Sequence, residues 1–85
     1  MDETETTLRI YIARNILFSE ADYPYPDDAS FLETGVVDSL GVMELVMFVE
    51  ERFGIDVQDR DVVPANFDSI SRLATFIRSR MGPQA

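Results

Sequence analysis

The chain contains no cysteine and no histidine. Thiol nucleophiles, disulfide frameworks and Cys/His zinc sites are therefore excluded. A Ser-His-Asp arrangement is excluded too, because it needs an imidazole to take the proton. Lysine is also missing, so all seven basic residues are arginine, and the usual activated nucleophiles of a hydrolase are lacking. The lack of cysteine fits a cytoplasmic protein. No apolar run approaches the roughly 20 residues of a membrane span, and the acidic opening MDETETT is unlike a signal peptide. Tryptophan is absent, leaving six Phe and three Tyr as the aromatic material for a core.

Positive charge is scarce. Sixteen acids against seven arginines give a net charge of −9, which argues against nucleic-acid binding, since that needs a basic footprint. The charge is uneven: residues 1–37 sum to −6, residues 38–61 to −5 and residues 62–85 to +2. A negative field over the first two thirds would steer a basic partner to that side. Solubility alone is the plainer explanation of the same balance.

The 85 residues and 46% apolar content predict one domain spanning 1–85, with 82–85 a frayed tail. A chain this long buries about 60–65% of the surface it exposes when unfolded, enough for a core without metal or disulfide. Helical spacing of Leu8, Tyr11, Ile12 and Ile16 predicts a first helix over 3–18, capped by Asp2 or Thr4. Ile10 and Leu17 lie off that stripe, under the following loop. Residues 19–37 read as a long connection, because Tyr23-Pro24-Tyr25-Pro26 cannot continue a helix. A loop of this length must be functional or packed by its own side chains; Phe31, Leu32, Val36 and Val37 can pack it, with room for one helical turn. Asp38 or Ser39 caps a second helix that runs to Phe53, with Gly54 as its terminating glycine. A short third helix is expected over 59–64, capped by Asp59, with Val62 and Val63 inward and Pro64 as its stop. Asp68 or Ser69 caps a last helix whose buried stripe is Ile70, Leu73, Ala74, Ile77 and Met81, ended by Gly82-Pro83. The expected fold is all-α: a four-helix bundle of three longer helices and one short one, with a long loop after the first.

The stretch from Gly35 to Phe53 carries the chemistry. At about 100° per residue, Val42, Leu45, Val46, Val49 and Phe53 share one face of the second helix, the core face. Leu40, Met43 and Met47 form a second strip, bordered by Glu50 on one side and by Glu44 and Glu51 on the other. An apolar strip fenced by carboxylates is costly to bury and marks a partner surface, to which methionines are suited by their flexibility. The alternative is one broad core face with charged edges. Ser39 stands at the start of this helix, where a serine is often only a cap, but where the amide groups and the helix dipole also favour a phosphodiester. Gly41 leaves room beside such a linkage, and Asp38 offers carboxylate oxygens to a divalent cation during phosphoryl transfer.

Gly35-Val36-Val37-Asp38-Ser39-Leu40, followed by Met43-Glu44-Leu45-Val46 and Glu50-Glu51-Arg52-Phe53-Gly54-Ile55, resembles the acyl carrier protein signature. The resemblance extends over nearly the whole chain, in the order and length of helices. It implies a non-catalytic carrier in fatty-acid, polyketide or related biosynthesis, with 4′-phosphopantetheine attached to Ser39 by a transferase that takes it from coenzyme A with Mg²⁺. It implies partner docking through Asp38, Leu40, Met43, Glu44, Met47, Glu50 and Glu51. The implied partners are the phosphopantetheinyl transferase, an acyl- or aminoacyl-loading ligase, and synthase and transferase enzymes with basic patches, all visited by a monomer. Gly41 and the Tyr-Pro-Tyr-Pro loop differ from housekeeping fatty-acid carriers, and Asp-Ser-Leu-Gly is similar to discrete polyketide, aminoacyl and D-alanyl carriers. Two other readings stay open: an unmodified helical adaptor, and a calcium site at Asp56, Asp59 and Asp61, whose spacing lacks the central Gly and terminal Glu of a calcium loop. No metal is expected.

Overall fold

A computed structural model describes residues 3–81, apart from the side chain of Ser39; the expected Asp2 cap and the tail at 82–85 lie outside the described residues. Among the described residues, five α-helices follow one another: α1 Thr4–Asn15, α2 Phe31–Thr34, α3 Ser39–Phe53, α4 Pro64–Phe67 and α5 Ile70–Met81, with a 3-10 turn at Asp59–Asp61 between α3 and α4. The architecture is all-helical, with three long helices, as the periodicity requires.

α5 is the element that the others share, packing against α1, α3 and α4. Its stripe of Ile70, Leu73, Ala74 and Ile77 is buried as expected. Leu8 and Ile12 of α1 and Leu45 and Val49 of α3 meet it in the core. Tyr11 is half-buried rather than buried, stacked on Phe48 with centroids 3.8 Å apart. Phe53 is likewise half-buried, at the edge of the same aromatic group. On α5 the stripe is displaced: Met81 is exposed and Phe76 is buried instead. α4 covers that flank, and Phe67 meets the Phe76 ring at 5.5 Å.

α1 is shorter than its apolar pattern. Glu3, not Thr4, holds the cap position, and the helix stops at Asn15. Phe18 then adopts a left-handed conformation, φ 53°, a state costing about 1–2 kcal/mol for a residue with a Cβ. Leu17 packs against the core, but Ile10 is exposed.

The long connection is tied down at several points. Arg9 Nη1 donates to both oxygens of Asp27, at 2.8 and 2.6 Å, and the Ser71 N–H donates to the Asp27 carbonyl at 2.9 Å. Tyr23, Phe31, Val36 and Val37 are buried beneath it. The Tyr23 hydroxyl is buried without a hydrogen-bond partner, and burial, with the neighbouring Tyr25 and Asp27, pushes it up to about 12.

The short third helix is divided. Gln58, not Asp59, precedes the 3-10 turn, and Val62 is half-buried while Val63 is exposed. Pro64 starts α4 rather than stopping its predecessor; a first-turn residue needs no amide donor, so proline suits the position. Asp61 is buried and binds Arg80 Nη2 at 2.6 Å. The Gln58 N–H donating to Asp61 holds its carboxyl below the ordinary carboxylate range; burial opposes this, and the hydrogen bond and charge of Arg80, with the charge of Arg60, add to the lowering.

A group with a lowered folded pKa stabilises the fold above its unfolded value, and that stability is lost as pH falls through the folded value. In urea denaturation the parent is expected to be more stable than Asp61→Asn at neutral pH. The gap should narrow as pH drops below about 4; a gap independent of pH would leave Asp61 with no part in acid sensitivity.

Candidate functional site

The head of α3 is built from its preceding residues. Asp38 is extended and caps the helix, its Oδ1 accepting from the Gly41 N–H at 2.8 Å and its carbonyl from the Val42 N–H at 2.9 Å. Val36 and Val37 are buried just before it, so the chain enters the helix pinned from below. Val37 and Val42 stand at the positions of a hydrophobic staple and line the same cavity. Ser39 is therefore the first residue of α3, with Asp38 and Leu40 exposed on either side. First-turn amides have no partner within a helix, so this end suits a phosphodiester. A Cβ at Gly41 would come within 3.2 Å of Val37 Cγ1 and 3.4 Å of Asp38 Oδ1. The glycine permits close approach of the loop to α3, and the space it frees is taken by Val37 and the capping carboxylate.

Leu40, Met43 and Met47 are 76, 58 and 64% exposed, so the second strip is a surface and not a broad core edge. Glu44 and Glu51 are exposed beside it. Burial, and after it the Glu44 charge, raises the pKa of Tyr11. Glu50 differs from the other two: it is half-buried, and its Oε2 accepts from the Val57 N–H at 3.0 Å. Gly54, at φ 66°, turns the chain back so that Val57 can reach it. Asp38 and Glu50 thus each hold a structural hydrogen bond, while Glu44 and Glu51 are the exposed acids of the strip.

Next to the head of α3 lies an apolar cavity of about 290 Å³, bounded by Phe31 and Leu32 of α2, Val37 and Val42, the segment from Val62 to Pro64, and Phe67 and Asp68 at the end of α4. Sequence reasoning did not find this space. Its walls come from four separate stretches, and no local period announces that they will leave a gap. Of the two expected caps of the last helix, Ser69 takes the role, its Oγ accepting from the Arg72 N–H at 3.1 Å, while the Asp68 carboxylate turns toward α2. Among the described residues no three acidic side chains come together as a metal-binding group; Asp61 is turned toward Gln58 and Arg80, away from a shared site with Asp56 and Asp59. Among the same residues no helix is long and apolar enough to cross a membrane.

Residues 15–77 match the phosphopantetheine attachment site family. Among similar proteins are three acyl carrier proteins. That of Buchnera aphidicola subsp. Schizaphis graminum is 42% identical over 40 residues, 47% of this chain and 51% of the relative. That of Chlamydia caviae is 30% identical over 56 residues, 66% of this chain and 70% of the relative. That of Buchnera aphidicola subsp. Acyrthosiphon pisum is 30% identical over 70 residues, 79% of this chain and 85% of the relative. The chain thus spans about half of the first relative and most of the other two. The family match covers well over half of the chain, which therefore belongs to the phosphopantetheine attachment family of carriers. Membership implies covalently attached 4′-phosphopantetheine.

Asp38→Ala should cost about 0.5–2 kcal/mol of stability by urea denaturation of the unmodified chain, while Asp38→Asn, an equally good cap, should cost much less. Equal losses would mean that the charge, and not the cap, is what α3 needs.

Proposed function

We propose that this chain carries acyl groups in fatty-acid, polyketide or related biosynthesis, with the phosphopantetheine joined to Ser39. When attached, the group supplies a terminal thiol through which an acyl group is carried as a thioester, so a protein without cysteine takes part in thiol chemistry. The observation that carries this reading is the head of α3: Ser39 is the first residue of a capped helix, beside exposed Asp38 and Leu40. Asp38 orders that first turn; Leu40, Met43 and Met47 form the ridge on which partner enzymes dock. Glu44 and Glu51 attract basic patches on the transferase, the loading ligase and the synthases. Asp38 and Glu50 contribute to the same face while holding α3 and its connector in shape. Two copies meeting through this ridge would bring carboxylates together, so the carrier works as a monomer.

The adjacent cavity favours an acyl cargo over an aminoacyl or D-alanyl one. Its walls are almost wholly aliphatic and aromatic, and an unpaired ammonium there would lose its hydration without gaining a partner. The carboxylate of Asp68, at its edge, already has both oxygens engaged.

Incubation with coenzyme A, Mg²⁺ and a promiscuous phosphopantetheinyl transferase should add one pantetheinyl phosphate by intact mass, and Ser39→Ala should abolish it. A mass that never changes would leave an unmodified helical adaptor as the better reading. Reversing both free acids, Glu44→Arg with Glu51→Arg, should weaken binding to basic partner enzymes about tenfold or more with little change in melting temperature. Loss of folding would instead make the ridge part of the core.

A further inference from the structure

One wall of the cavity cannot stand by itself. α2 is a four-residue helix, and a single turn is unfavourable in isolation because it fixes several dihedrals for one hydrogen bond. Burial holds one of its residues, Phe31, in the core, and its hydrogen bonds to residues distant in sequence go to one residue, Asp68. The Phe31 N–H donates to the Asp68 carbonyl at 2.7 Å, and the Leu32 N–H to Asp68 Oδ1 at 3.0 Å. The Ser30 hydroxyl donates to Asp68 Oδ2 at 2.5 Å, and Ser30 Oγ in turn accepts from the Glu33 N–H at 3.2 Å. Asp68 is at the same time the residue that ends α4. It therefore joins two walls of the cavity, Phe31 and Leu32 on one element and Phe67 on the other. Leu32 is 67% exposed, so little packing holds this part of the wall, and the hydrogen bonds decide where it stands.

We propose that Asp68 is a positioning residue for the cargo cavity: by clasping the first turn of α2 to the α4–α5 joint it sets the place of Phe31 and Leu32, and with it the length of acyl chain the cavity accepts. This rests on the acyl-carrier reading above. Asp68 acts through α2 and does not react. Its neighbour Ser69 caps α5 independently, so removing the Asp68 carboxylate leaves the last helix with its own cap.

Two measurements on the full chain test the clasp. In the unmodified protein, Asp68→Ala should make the Leu32 and Glu33 amides exchange with solvent about tenfold faster or more, with those of Leu45 and Leu73 little changed. In the modified protein loaded with butyryl, hexanoyl, octanoyl or decanoyl groups, the parent's melting temperature should rise with chain length until the cavity is full, as for any ligand that binds only the folded state. In Asp68→Ala about half or more of that rise should be lost, or its limit should move to another length. Ser30→Ala, which removes one of the three bonds to Asp68, should give a smaller change in the same direction, and serves as the test if Asp68→Ala does not fold. The same length profile in parent and variants overturns the proposal. So does a flat profile in a parent that is loaded normally, which leaves the carrier reading intact; a parent that never accepts phosphopantetheine defeats the carrier reading itself.

Discussion

A helix in a small bundle can bury only one of its sides, and this constraint governs α3. Leu45 and Val49 are fully enclosed, so the opposite side, with Met43 and Met47, must face outward. Glu44 and Glu51 make the choice decisive, because rotating the methionines inward would drag carboxylates after them at a cost of several kcal/mol per unpaired charge. The same rotation fixes the direction of the helix head. Val36 and Val37 are buried immediately before it, and Asp38 closes its first turn. What emerges is an exposed apolar ridge that begins at Leu40, one residue past the start of the helix.

The segment between α1 and α3 has little regular structure, and it is held by burial together with a few point ties. The Arg9–Asp27 pair is about a third exposed at both ends, and ion pairs of that kind contribute only about 0–1 kcal/mol. The larger share must come from Phe31, Val36, Val37 and the Tyr23 ring. Tyr23 illustrates the balance: the phenol is left without a partner, an arrangement tolerated because its ring fills the core and meets Tyr25 edge-on at 5.7 Å. A loop secured in this way can leave a gap beside α3 where a continuous helix would have filled it.

Much of this was legible in the residues. The spacing of Val42, Leu45, Val46 and Val49, the Asp38 cap and the Gly54 stop define α3, and the exposed strip follows from the same count. Expectations failed where a neighbouring element changed the accounting. Phe76 is covered by α4, so the buried stripe of α5 widens toward it and releases Met81. Pro64 can open a helix, where its missing donor is not needed, or stop one that it cannot continue, and only the arrangement of α4 chooses between them. Glu50 looks like a rim acid on the wheel, yet the turn at Gly54 brings the Val57 amide to it.

By itself, then, the order of residues determined the elements that depend on near neighbours: helix periods, an α3 cap at Asp38 or Ser39, the acids around Met43 and Met47, and the family signature around Ser39. Tertiary structure alone decided that Asp68 serves α2 while Ser69 serves α5, and that an apolar space opens between them and α3. Asp68 and Ser30 are 38 positions apart, and a bond across that distance exists only once the packing of α5 has brought the two ends together.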